Sequence, residues 1–177
     1  MKKNYTREIA FGGVIAALYV VLTCFAAILN LANGAIQVRF SEALTILPVF
    51  TSAAIPGLTV GCVLANLLTG CAVWDVVFGS FATLIGAAGT WLLRKKPNIA
   101  WIPPVLSNMA IIPPILMKVY GVDQLEVFGK TFAGETLWGM LAVTIGIGEI
   151  ISCGILGLLL YHSVKNIPQL RQLSVPE

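Results

Sequence analysis

Charge is what this sequence has least of. Only 11% of its 177 residues are charged, where a soluble domain carries about 25%. Eleven basic and eight acidic residues cannot cover a water-facing surface. That scarcity excludes a soluble globular domain, a disordered chain and a nucleic-acid binder. Cysteine is sparse as well: Cys24, Cys62, Cys71 and Cys153 sit in or beside apolar stretches and form no C-x-x-C pair. They read as small apolar packing residues, not as a disulfide framework. The single histidine, His162, lies at the end of the last apolar run, far from any cysteine in sequence, which removes a zinc site. A phosphate-binding loop is also missing. Phe128-Gly129-Lys130-Thr131 resembles its end, but the first glycine would have to stand where Gln124 does. The chain is therefore not expected to hydrolyse ATP itself. No serine–histidine or paired-acid hydrolase arrangement is apparent, nor is the inverted repeat of many secondary transporters.

What remains is apolar: 58% of the residues are hydrophobic and the mean hydropathy is +0.90. A bilayer-spanning helix takes about 20 residues, and the length allows one domain. We expect an all-α integral membrane protein, residues 1–177 forming a single transmembrane domain. Its first apolar run, Ile9 to about Asn30, is too long for the core of a signal peptide and is taken as a span. Glu42 to Thr69 is interrupted before Pro56-Gly57, strong turn punctuation, so two short helices over 42–54 and 56–70 fit it better than one. Further spans are expected over 74–93, 99–120 and 135–162, with a polar loop from Gly121 to Gly134.

Basic residues test this count, because they concentrate on the cytoplasmic side. They cluster at Lys2/Lys3/Arg7, at Arg94/Lys95/Lys96 and at Lys165/Arg171. Six spans separate these clusters by four and then two crossings, so all three face the cytoplasm together with both termini. A single helix over 42–69 would break that parity.

Polar groups at membrane depth are costly and face a protein interior or a cavity. On the last span Glu135, Trp138, Ala142, Gly146, Glu149 and Cys153 fall on one face at helical spacing. Glu149 there is either a ligand or coupling group, or a neutral acid bonded to a neighbouring helix. Ser107 and Asn108 lie between Pro103-Pro104 and Pro113-Pro114. The second pair frees the carbonyls of Met109 and Ala110 beside Asn108, which makes either a site wall or a plain kink. Arg39 and Glu42 are spaced to pair with each other, and Asp75, at the outer start of the fourth span, is a helix-terminal cap or a ligand. Asn66 reads as an interhelical bonding group. In the first span Gly12/Ala16 and Gly13/Ala17 each have the spacing that lets two helices approach closely.

Several stretches together resemble the QueT family: Val38-Arg39-Phe40-Ser41-Glu42-Ala43-Leu44-Thr45-Ile46-Leu47-Pro48, Ala65-Asn66, Asp75-Val76-Val77-Phe78-Gly79-Ser80, Ala82-Thr83-Leu84 and Gly148-Glu149. The likeness runs from about residue 6 to residue 163. QueT proteins resemble the substrate-binding S components of energy-coupling factor (ECF) transporters, assigned to uptake of queuosine precursors such as 7-aminomethyl-7-deazaguanine (preQ1) or queuine. The resemblance implies a six-helix S-component-like bundle in a prokaryotic plasma membrane, with an external site roofed by the loop after the first helix. It also implies contact between that helix and a transmembrane coupling subunit bearing two ATPases, so that ATP is used by partners and the chain itself has no cofactor. The family's Ala-x-x-x-Ala contact would fall on Gly13 and Ala17, or on Gly12 and Ala16.

A deazaguanine edge presents adjacent N–H donors that a carboxylate accepts, and an aminomethyl cation would take a second acid. The expected substrate site is therefore Arg39, Glu42, Asp75, Asn108, Glu135, Trp138 and Glu149. Glu135 or Glu149 would read the ring edge, Asn108 would add an amide contact, and Arg39 with Glu42 would order the loop. Trp74, Trp138 or Phe40 could stack on the ring. The rival readings are a proton-coupled secondary transporter, a membrane enzyme and an S component for another vitamin.

Overall fold

The computed structural model describes residues 5–29 and 37–167. Lys2, Lys3 and Arg171, and residues 31–36 of the expected first external loop, lie outside these. The chain is helical almost throughout. It runs through α1 (Tyr5–Ile28), a 3-10 helix (Phe40–Val49), α2 (Ala54–Leu68), α3 (Val73–Leu92), a 3-10 turn (Pro97–Ile99) and α4 (Ile102–Lys118). A hairpin of β1 (Gln124–Val127) and β2 (Lys130–Ala133) then leads into α5 (Glu135–Glu149), a π-helical stretch (Ile150–Leu156) and α6 (Gly157–Val164).

Among the described residues, four segments are long and apolar enough to cross a membrane: Tyr5–Ile28, Val73–Leu92, Pro97–Lys118 and Glu135–Val164. Phe40–Val49 and Ala54–Leu68 are shorter. At about 2.0 Å per residue for a 3-10 helix and 1.5 Å for an α-helix, each extends roughly 20 Å, less than the ~30 Å hydrocarbon layer. The division of 42–69 into two pieces is present. The break falls over residues 50–53, and Pro56 stands in the first turn of α2, where its missing N–H costs no hydrogen bond.

The expected polar loop Gly121–Gly134 is in fact built around a hairpin. Leu125 pairs with Phe132 and Val127 with Lys130, and the tip residues Phe128 and Gly129 both have positive φ, 50° and 73°. Two successive positive-φ residues make a tight two-residue strand connection. Phe-Gly lacks the Asn or Asp that usually signals that turn, so composition alone read as loop. The fragment that resembled a phosphate loop is this hairpin tip.

The 3-10 helix is the centre of the bundle. It packs on α1, α3, α6 and the π-helical stretch, and buries Ser41, Glu42, Leu44, Thr45, Ile46 and Pro48. Around it Ile15, Tyr19, Leu44, Ala54, Leu58, Cys62, Ala65 and Ala87 form the apolar core. Glycines let the helices close in. A Cβ on Gly57 would sit 2.6 Å from the Gly12 carbonyl oxygen, and one on Gly61 would sit 2.8 Å from Tyr19 Cβ, so α1 and α2 touch backbone to backbone. The outward surface carries Val14, Leu18, Val21, Phe25, Phe78, Phe81 and Leu159, all exposed. Lipid, not water, solvates such a surface.

Candidate functional site

The start of α3 and the end of α4 meet at the end of the bundle opposite the Arg94–Lys96 turn. There, the C-terminal half of α1, the segment before the 3-10 helix, and the ends of α2, α3 and α4 enclose a cavity of about 420 Å³, within the range of small-molecule sites. Its polar lining is Gln37, Arg39, Asn66, Asp75 and Tyr120, together with Tyr19, Thr23 and Ser41. Larger surface grooves, such as that between Trp74, Phe78, Phe81 and Ile115, are apolar and open outward.

Asp75 is the acid of this lining. It stands in the first turn of α3, where the helix N-terminus favours a negative charge, and is 8% exposed. The Tyr120 hydroxyl donates to its Oδ2 at 3.1 Å, and the Ala72 backbone N–H donates to the same hydroxyl at 3.2 Å. Burial pushes the Tyr120 phenol above its ordinary range, so at neutral pH it remains a donor. Asn66 lies across from Asp75: a Cβ on Gly79 would sit 3.3 Å from Asn66 Nδ2 and 3.7 Å from Asp75 Oδ1. Gly79 thus brings an amide and a carboxylate to one side of the cavity.

Another part of the lining is held by the segment entering the 3-10 helix. Arg39 donates its backbone N–H to Ser152 Oγ at 3.1 Å, and Ser152 donates to the Gly148 carbonyl at 2.9 Å. Gln37 lies flat on α5, because a Cβ on Gly148 would stand 2.0 Å from its carbonyl oxygen. The Gly148-Glu149 pair therefore has a geometric reason: glycine lets the loop backbone pass, and the next residue points inward. The π-helical stretch begins directly after Glu149, and such irregular turns concentrate at functional sites.

Beneath the cavity lies a second, buried polar layer. Tyr19 donates its hydroxyl to Glu42 Oε1. Thr45 donates to the Glu42 carbonyl at 2.6 Å. The Cys153 thiol lies 3.1 Å from Glu149 Oε2 and 3.6 Å from the Glu42 carbonyl oxygen. Asn108, 4% exposed, is buried beside the same Glu149 carboxyl group.

Of the seven residues expected to hold substrate, Arg39 and Asp75 line the cavity, and Glu42, Asn108 and Glu149 form the layer below it. Glu135 and Trp138 lie apart from both. They are exposed at the start of α5, Trp138 by 47%, although the buried residues Ala142, Gly146, Glu149 and Cys153 continue the same helical face. Trp74 is also exposed. Tyr19, Gln37 and Tyr120 were not singled out from the sequence. A tyrosine inside an otherwise apolar first span was the available signal for Tyr19; Tyr120 reaches Asp75 only through the tertiary fold.

The two small-residue pairs of α1 separate cleanly. Gly12 and Ala16 face α2, Ala16 being 8% exposed and a Cβ on Gly12 falling 3.2 Å from the Ala53 carbonyl. Gly13 and Ala17 are exposed, with nothing within 4 Å of a Cβ on Gly13.

A chain whose described residues are helical apart from one hairpin, with four long apolar segments, an apolar exterior and a polar cavity of small-molecule size, has the build of a multi-pass membrane protein that binds a solute. It belongs to the QueT transporter family, whose sequence model matches residues 9–166. The family is one of transporters and not of enzymes. The queuosine precursor transporter QueT of Lactococcus lactis subsp. cremoris (strain MG1363) is 38% identical over 85 residues, 48% of this chain. In that match the chain spans half of the relative's length, 50%. No solved structure matches the chain.

Proposed function

We propose that this chain is the substrate-capture subunit of an ECF-type importer, binding a queuosine precursor, preQ1 or queuine, from outside the cell membrane. The cavity walled by Arg39, Asn66 and Asp75 carries this reading. The Asp75 carboxylate accepts the adjacent ring N–H and exocyclic amine of a deazaguanine. Arg39 donates to its ring carbonyl, and the Asn66 and Gln37 amides complete the in-plane contacts. Charge-assisted hydrogen bonds of this kind are worth about 1.5–3 kcal/mol each.

In this reading the two short helices and the four long ones make six crossings in one transmembrane domain, with both termini cytoplasmic. The parity of the basic clusters supports that arrangement, in which the cavity would open to the external side. The missing phosphate loop assigns ATP use to partners: a transmembrane coupling subunit with two ATPases. The exposed Gly13/Ala17 face of α1, beside a groove with Ile9, Ala53, Pro56 and Val60, is where the coupling subunit would pack. Gly13→Leu is then expected to leave precursor binding within about twofold of the parent while abolishing ATP-dependent uptake in reconstituted complexes. A Cβ at Gly13 meets no described atom within 4 Å, so a loss of binding would refute that assignment.

Equilibrium binding to the purified chain in detergent tests the function directly. The panel holds preQ1, 7-cyano-7-deazaguanine, queuine, guanine, riboflavin and thiamine. Tight binding of a deazaguanine without any partner protein is expected. Binding of riboflavin or thiamine instead would move the chain to another vitamin, and no binding at all would overturn the capture role.

A further inference from the structure

The layer below the cavity holds more acid than its surroundings neutralise. One donor atom each from Glu42, Glu149 and Cys153 lie within 4.8 Å of one another, and these residues are 1%, 6% and 1% exposed. Arg39 is the described cation beside both carboxyl groups, so it balances one of them when ionised and leaves the second free to ionise against another cation. At membrane depth a buried acid of this kind marks a place where something charged is received.

Two further observations say what is received. Glu42 Oε2 is buried and has no hydrogen-bond partner among the described residues, although Tyr19 occupies the other oxygen of the same carboxylate. A void of about 10 Å³ adjoins Glu149, lined by Gln37, Arg39, Ile112 and Ile145. That is roughly the space of one water molecule, or of one ammonium head. Gln37 and Arg39 also line the main cavity, so the void is an annex of it. Its walls are the Ile112 and Ile145 side chains and the Glu149 carboxylate, completed by Gln37 and Arg39. A methylene bearing a protonated amine matches the isoleucines and the carboxylate, whereas a hydrated metal ion would face the isoleucines with nothing to bond.

We propose that the Glu42–Glu149 pair seats a protonated alkylamine of the captured molecule, making this layer the element that selects a cationic ring substituent over a neutral one. The proposal rests on the capture reading above and assigns it a second, separate subsite. Glu149 and Glu42 Oε2 accept from the ammonium. Cys153 is a positioning residue, its thiol holding the Glu149 carboxylate toward the annex.

The test compares 7-aminomethyl-7-deazaguanine with 7-cyano-7-deazaguanine, which shares the ring but carries no charge. Both are titrated into the purified full chain in detergent and into Glu149→Gln and Glu42→Gln. The parent is expected to prefer the amine by about tenfold or more, as a charge-assisted contact provides. Glu149→Gln should erase that preference while holding the cyano compound within about threefold, which also shows that the variant is folded. Equal affinity of the parent for the two compounds overturns the proposal and leaves the capture role standing. Equal loss of both compounds in both variants overturns it too. Zinc binding that Cys153→Ala abolishes, without any amine preference, reassigns the cluster to a metal. If the parent binds neither compound, the capture reading fails and this proposal fails with it.

Discussion

Replacing Gly148 with alanine is expected to lower precursor affinity by about 10- to 100-fold, although residue 148 touches no ligand in the proposed site. The reason is steric. The new Cβ would stand 2.0 Å from the Gln37 carbonyl oxygen and 3.0 Å from its carbonyl carbon, and the obstacle is backbone that cannot rotate away. The Gln37–Arg39 segment must lift off α5. It is tied there by the Arg39 N–H to Ser152 bond, so lifting it displaces both side chains that join the cavity to its annex. Overpacking of this kind costs about 1–3 kcal/mol, and each 1.4 kcal/mol taken from binding is about tenfold in affinity. Gly139 on the same helix supplies the control: nothing lies within 4 Å of a Cβ there, so Gly139→Ala should bind like the parent. Affinity and thermal unfolding of both variants check the argument. A Gly148→Ala chain that binds normally would mean that the loop does not form the site wall.

The fold was largely legible because the apolar runs and their punctuation carry it. Pro56-Gly57 announced two short helices, and the structure starts α2 at Ala54. The basic turn Arg94-Lys95-Lys96 ends α3 near Leu92. The hairpin escaped because each strand is only four residues long and its tip is Phe128-Gly129, without the Asn or Asp that signals such a turn. Helical periodicity correctly grouped Ala142, Gly146, Glu149 and Cys153 as inward-facing. It extended the same face to Glu135 and Trp138, which lie beyond the neighbouring helices and are exposed. Periodicity fixes direction around an axis but not how far along that axis a neighbour reaches. The choice between Gly12/Ala16 and Gly13/Ala17 was open for a related reason. Both pairs have the same spacing, and only the position of α2 decides which one is covered. The contact of Tyr120 with Asp75 joins residues 45 apart in sequence, and no local pattern contains it.

Asp75→Asn should cost about 2–4 kcal/mol of binding, roughly 30- to 1,000-fold, and change what the site recognises. The carboxylate is already held from one side by Tyr120 and offers its remaining lone pairs to the cavity. In the proposed pose these accept the ring N–H and the exocyclic amine of a deazaguanine. Asparagine has the same shape but turns one oxygen into an NH₂ donor, so a donor meets a donor in a buried site, and each unmatched group carries a desolvation penalty of about 1–3 kcal/mol. Affinity loss alone would not separate this from a merely structural role, because Asp75 also organises Tyr120. Selectivity does. The parent should reject a 7-deazahypoxanthine, which lacks the exocyclic amine, relative to the matching deazaguanine, since a carboxylate built for two donors is then half unpaired. Asp75→Asn should lose most of that discrimination, whereas Tyr120→Phe, which keeps the carboxylate, should retain it with only a few-fold weaker binding. If Asp75→Asn still discriminates between the two rings, the edge is read elsewhere, and Glu149 becomes the acid to test in its place.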